Sequence, residues 1–354
     1  MLQQIGRAQR TPEAVHAGPT LPRRIVALGG GTGLPAVLRS LRLMLGDAAP
    51  EEAITAIVAV SDDGGSSGRL RNELRIPPPG DVRNCVAALA GDDSPLARLL
   101  QHRFTGGYLD GHPVGHVMLA ALTQELGGDF AAAVREFGRL AGSAGRVLPA
   151  TAQNVHLKAE CESGEIVIGE TAIASCGLPI RRVMLEQRAR PVPEAIEALI
   201  NADVVIVGPG SLYTSILPVL LVEGVAPTIY GLRATRVYVA NLMTEPGETD
   251  NFSLERHLEV IEQHVALPLF DYVLVNNAPV PSDSLVKYAR NCSEPVRRST
   301  RGSRRGGTSI VERPLAWQVE GGKLRHDPHH LSRALADLIC RSTADQDWRS
   351  TISA

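Results

Sequence analysis

Five short apolar runs in this chain each pass directly into a loop of small or hydrogen-bonding residues, and this repeated junction narrows the fold more than any other feature. Ile25-Val26-Ala27-Leu28 enters Gly29-Gly30-Gly31-Thr32-Gly33, and Ile54 to Val60 enters Ser61-Asp62-Asp63-Gly64-Gly65. Asp203 to Val207 enters Gly208-Pro209-Gly210-Ser211, Arg236 to Ala240 enters Asn241-Leu242-Met243-Thr244, and Tyr272 to Val275 enters Asn276-Asn277. Runs that are apolar throughout fit strands covered on both faces. Strand, glycine turn, helix and strand over residues 25–60 form a βαβ unit, with Pro35 near the helix start where its missing N–H costs little. The expectation is an α/β fold: a Rossmann-like, doubly wound, mostly parallel sheet. Its strand-end loops would collect on one edge, outside the carboxyl ends, where ligands bind. Each loop alone suits an ordinary turn; five on one edge point to a site.

The remaining chain organises around that sheet. Helical spacings over Cys85–Leu89, Leu96–Phe104, Val117–Leu126 and Ala131–Leu140 predict a helical insertion of about 82–145, and alternation after it predicts a small antiparallel β insert over about 146–182. A helix is expected over Glu194–Asn201 and a last one over about His329–Arg341. Residues 22–341 read as one domain, 1–21 as a disordered extension without an apolar leader, and 342–354 as a flexible tail. A net charge of −2 and an aromatic content of 4% argue against nucleic acid as a partner. The five cysteines form no CxxC pair, which predicts reduced thiols. No apolar run is long enough to span a bilayer, and a cytoplasmic location is expected.

Several loops carry candidate chemistry. Gly31-Thr32-Gly33-Leu34-Pro35-Ala36 has the relaxed Gly-x-Gly-x-x-Gly/Ala form between strand and helix. Gly29, Gly30, Gly31 and Gly33 would let a phosphate approach the backbone at a helix N-terminus, and Thr32 adds a hydroxyl. No Gly-Lys-Ser/Thr follows, so this is not a P-loop. Asp62 and Asp63, with Ser66 and Ser67, would bond a ribose or hold a hard divalent cation, unless they only make an Asx turn and cap. Asp81 suits a helix cap, and Arg83 and Asn84 beside it are site candidates. Gly208, Pro209, Gly210, Ser211 and Thr214 repeat the first loop as a second anion cradle, without the spacing of a nucleophile elbow. Asn241, Thr244 and Glu248 suit sugar hydroxyls. His112 and His116 are four apart, yet Pro113 and Gly115 interrupt a continuous helix, so a metal site is not expected there.

Taken in order, these residues resemble the CofD-like family, and within it the YvcK-type gluconeogenesis factors. The landmarks are LGGGTGLPAVL (28–38), VSDDGGSSGRLR (60–71), PPGDVRNC (78–85), GHPVGH (111–116), ADVVIVGPGSLYTSILP (202–218), NLMTEPGETDNF (241–252) and LRHDP (324–328). The resemblance implies a Rossmann-like protein that binds a UDP-sugar, typically UDP-N-acetylglucosamine, and acts in cell shape and cell-wall homeostasis under gluconeogenic growth. It places Tyr288 and Arg325 near the sugar nucleotide and implies cell-wall synthesis or morphogenesis proteins as partners. Homo-oligomerisation is compatible with it, and no cofactor is required. Relatives that are 2-phospho-L-lactate transferases supply the rival reading, in which Asp62 or Asp63 positions magnesium. The chain departs from the family at Gly115-His116, where Gly-Asn is usual, and in the basic segment 297–305.

Overall fold

The computed structural model describes residues 22–46, 49–299, 304–305, 307–319 and 322–352. The extension predicted over 1–21 and most of the basic segment beyond Ser299 lie outside them. The strands are β1 (Ile25–Gly29), β2 (Ile54–Val58), β3 (Arg146–Pro149), β4 (Leu157–Cys161), β5 (Ile166–Ile168), β6 (Ile180–Leu185) and β7 (Val204–Val207). They continue with β8 (Thr235–Val239), β9 (Tyr272–Asn276), β10 (Arg304–Arg305), β11 (Thr308–Arg313), β12 (Ala316–Gln318) and β13 (Leu324–His326). The main sheet runs β10-β11-β9-β8-β7-β1-β2-β3. Every neighbour pair in it is parallel except β10–β11.

The helices are α1 (Gly33–Leu45), α2 (Gly65–Leu74), α3 (Gly80–Ala90), α4 (Pro95–Gln101), α5 (Val114–Glu125), α6 (Phe130–Ala141) and α7 (Glu170–Ser175). After them come α8 (Pro193–Ile200), α9 (Leu217–Leu220), α10 (Val225–Gly231), α11 (Leu254–Val265), α12 (Ser282–Ala289) and α13 (Pro328–Ile352). β1 is buried along its whole length, and its alternate residues feed two cores. Val26 and Leu28 pack under α8 to α11 and the β insert, whereas Ile25 and Ala27 pack under α1, α3, α6 and α13. Continuous hydrophobicity in the central strands is therefore the mark of burial on both sides. Among the described residues no single helix is long and apolar enough to cross a membrane.

The chain leaves β1 for β2 and β3 on one side, then returns to place β7, β8, β9 and β11 on the other. The loops after β1 and β7 thus part in opposite directions, which opens a crevice between them. Two expected boundaries are corrected. Arg146–Pro149 pairs in parallel with β2 as the sheet's edge strand, so the antiparallel insert, β5-β4-β6, starts only at Leu157. The last helix runs on to Ile352, through the stretch read as a tail. The Thr235 hydroxyl donates to Ser342 at 2.9 Å, tying that helix to the start of β8.

Glycine 33 shows how tightly the crevice is built. A Cβ there would stand 2.0 Å from the Pro209 carbonyl oxygen, whereas one at Gly138, inside α6, would meet nothing closer than Ser143 Cβ at 3.9 Å. Gly33→Ala is expected to destabilise by ~1–3 kcal/mol through overpacking. Gly138→Ala is expected to stabilise by up to ~1 kcal/mol through helix propensity. Urea unfolding midpoints check both; equal responses would contradict the close approach.

Candidate functional site

The crevice between β1 and β7 is walled by their two glycine loops. Gly31 has φ +62°, a left-handed turn that sends the backbone into α1, and Thr32 stands at the N-cap without a side-chain capping bond. The Thr32 hydroxyl and the first N–H groups of α1 thus face the crevice, where a helix start favours an anion. Gly210 is held by the Asn241 amide: its N–H donates to Oδ1 at 2.9 Å, and Nδ2 donates to its carbonyl at 2.8 Å. Asn241 thereby fixes the second loop onto the end of β8, and its side chain is engaged with backbone rather than offered to a sugar.

A cleft of about 290 Å³ opens from these loops, lined by Thr32, Gly33, Pro209, Gly210, Asn241 and Thr244 on one side and Tyr288, Asn291, Ser293, Arg325 and His326 on the other. The far wall is a small antiparallel ribbon, β12–β13, that carries Arg325. Tyr288 on α12 seats it, its hydroxyl accepting from Leu324 N–H at 2.9 Å. Arg325 donates to the Leu324 carbonyl at 3.2 Å and meets no carboxylate within ion-pair range among the described residues. The Thr244 hydroxyl accepts from Glu294 N–H at 2.9 Å, so it too shapes its loop. Burial depresses the His326 imidazole to about 4, so it is neutral at physiological pH.

Behind the cleft lies a layer of carboxylates. Asp62 accepts from Gly64 N–H at 2.9 Å, an Asx turn, while Asp63 accepts from the Thr171 N–H at 2.9 Å and hydroxyl at 2.7 Å. The two carboxylates are thus engaged with different elements, Asp62 with its own loop and Asp63 with the start of α7. Among the described residues no group of three or more His, Cys, Asp or Glu side chains is arranged to hold a metal ion. Asp81 does not cap its own helix: Pro79 is the N-cap of α3, and the Asp81 carboxylate accepts from Gly31 N–H at 2.7 Å. Burial, then the nearby Asp62 charge, raises Asp81 to about 6. Burial and the charges of Asp62, Asp81, Asp63 and Glu248 raise Glu170 to about 9, and burial followed by Glu245 raises Glu248 to about 8.

Polar residues of the second and third loops also serve this inner layer. Ser66 Oγ lies 2.7 Å from His112 Nδ1 and 2.8 Å from His116 Nδ1, and Ser67 is buried beside Gly80. His116, in the stretch where the chain departs from the pattern expected by resemblance, therefore bonds a serine. Thr214 donates to Glu248 at 3.4 Å, and Ser211 bonds Glu245. Buried Arg71, at the end of the SDDGGSSGRLR run, donates to Asn154 Oδ1 at 2.5 Å and to the Val155 and Ser61 carbonyls, pinning the loops after β2 and β3 together. Arg83 is buried and donates to Asn84 Oδ1 at 2.7 Å.

A doubly wound sheet with paired glycine loops at its switch point defines a Rossmann-like α/β protein. The family described as 2-phospho-L-lactate transferase CofD matches residues 25–316. The chain is 42% identical over 318 residues to the gluconeogenesis factor of Bacillus subtilis (strain 168), covering 89% of this chain and 98% of that one. It is 45% identical over 276 residues to the gluconeogenesis factor of Halalkalibacterium halodurans, covering 77% and 84%. A crystal structure of a UPF0052-family protein from Bacillus halodurans has a TM-score of 0.82 at 41% identity, over 88% of this chain and 98% of that one. The chain belongs to the CofD family, among its gluconeogenesis factors.

Glu170 and His326 were not anticipated from the sequence. His326 had a local signal, since it follows Arg325 in LRHDP; Glu170 had none, because it reaches the layer only through the Asp63–Thr171 bonds. A carboxyl raised to about 9 binds a proton in the folded chain that the unfolded chain releases near the ordinary glutamate value of 4.5. Stability therefore falls as pH rises through that window. The Tm is expected to drop between about pH 6 and about pH 9, and Glu170→Gln should flatten this slope. An unchanged slope would remove Glu170 as its source.

Proposed function

We propose that the protein is a UDP-sugar-binding regulator, with UDP-N-acetylglucosamine as the ligand and the switch-point cleft as its seat. The observation that carries this reading is the pairing of Thr32, at the uncapped start of α1, with the Arg325 guanidinium on the same cleft. Helix-start N–H groups, a hydroxyl and an arginine without a carboxylate partner together suit a diphosphate. The lining amide of Asn291 suits sugar hydroxyls, whereas the Ser293 hydroxyl donates to the Thr244 carbonyl at 2.6 Å. The relatives named gluconeogenesis factors support a role under gluconeogenic growth; the reading extends that role to cell shape and cell-wall homeostasis. The proposed setting is the cytoplasm, with cell-wall synthesis or morphogenesis proteins downstream and no cofactor.

The match to CofD favours one second reading: transfer of a phosphorylated small acid from a nucleotide carrier to an acceptor hydroxyl, with nucleoside monophosphate leaving. Calorimetric titration with UDP-N-acetylglucosamine, other UDP-sugars and free nucleotides separates the two. A regulator gives saturable binding without turnover, whereas a transferase releases nucleoside monophosphate once the acceptor is supplied. Arg325→Ala is expected to weaken UDP-sugar binding at least about tenfold, the scale of one lost charge-assisted hydrogen bond. Absence of binding at millimolar ligand would sink the reading.

A further inference from the structure

A second cleft, of about 420 Å³, adjoins the first, and Thr32, Ala36, Arg325 and His326 line both. Its own walls include Asn84, Gln101 and Trp317, with Arg39, ion-paired to Asp92 at 3.0 Å, on the rim. Among the described residues no carboxylate lines it. Trp317 pairs directly with Arg325 across the β12–β13 ribbon, so both side chains project from one face. The indole is 55% exposed, which is unusual for so large an apolar ring that lines a cleft. The groups shared by both clefts are the ones suited to phosphate, so a ligand whose phosphates sit on that ridge extends one end into each cleft.

Asn84 and Gln101 give the second cleft a defined polarity. A guanidinium only donates, so the bond from Arg83 fixes Asn84 Oδ1 inward. Gln101 Nε2 also donates to that oxygen, at 3.4 Å. Asn84 is left with its NH₂ as a donor, and Gln101 with its carbonyl oxygen as an acceptor. A donor beside an acceptor matches the O4 and N3–H edge of uracil and opposes the N4–H₂ and N3 edge of cytosine.

We propose that this second cleft is a nucleobase subsite in which Trp317 stacks on a uracil ring, Asn84 and Gln101 read its edge, and Arg83 acts as the positioning residue that sets the Asn84 amide. The assignment rests on the UDP-sugar reading and adds where the base lies and how it is selected. The test is titration with UDP, CDP and N-acetylglucosamine 1-phosphate. Wild-type protein is expected to bind UDP at least about tenfold tighter than CDP. Trp317→Ala should weaken UDP roughly tenfold or more, the scale of one lost base stack, while leaving the sugar phosphate unchanged. Asn84→Asp, which replaces the donor with an acceptor, should erase the preference for UDP.

The chain has two tryptophans, so in a Trp348→Phe background quenching by UDP reports on Trp317 directly. Equal wild-type affinity for UDP and CDP, or Trp317→Ala binding UDP as wild type does, overturns the subsite. If wild-type protein binds UDP-sugar while these variants are indistinguishable from it, the base assignment alone fails. If wild-type protein binds no UDP compound, the UDP-sugar reading fails with it.

Discussion

The approach of the Gly33 backbone to the Pro209 carbonyl joins the two halves of the sheet where they diverge. The βαβ unit that begins at β1 and the one that begins at β7 lie side by side through the β1–β7 pairing. Only a residue without a side chain lets the start of α1 nest against the β7 loop. Once nested, the helix start, the Gly31 turn and the Gly210 loop share one small volume, and the Asn241 amide locks the far side of it. The polar geometry in front of the sheet follows from that backbone contact.

Charge is layered across this junction. On the open side stand α1 N–H groups, Thr32 and Arg325; on the inner side stand Asp81, Glu170 and Glu248, with half-exposed Asp62 and Asp63 at its edge. The inner acids do not cancel the outer field in full, because burial holds Glu170 and Glu248 near 9 and 8, protonated at neutral pH. Asp81, near 6, retains a charge that is directed at the Gly31 amide. It fixes the turn from behind and leaves the later N–H groups of the loop for whatever enters the cleft.

The central strands and their loops were legible in the sequence because burial on both faces writes an unbroken apolar run, and the run stops where the backbone turns. The β3 strand was misassigned to the insert because four edge residues carry too little pattern to show which sheet they join. Asn241, Thr244 and Asp81 stood out in the sequence, and the structure shows each bonded to backbone, with Pro79 rather than Asp81 at the N-cap of α3: polar side chains at strand ends look alike in sequence whether they face a ligand or their own backbone. The β12–β13 ribbon left no signal, since two three-residue strands are shorter than any period. Its Arg325 was found through family resemblance, and Trp317 beside it was not.

That ribbon makes the two walls of the cleft unlike each other in what holds them. A pair of three-residue strands has no independent stability. It stands because α12 holds it, through Tyr288 to Leu324 and through the Ser284 hydroxyl, which donates to the Gly322 carbonyl at 3.0 Å. One wall of the cleft is the end of a buried parallel sheet; the other is a ribbon seated by bonds from α12 and by Leu315 and Leu324, which are buried in the core beside α1. Any change in how α12 is seated is therefore passed directly to the wall that carries Arg325.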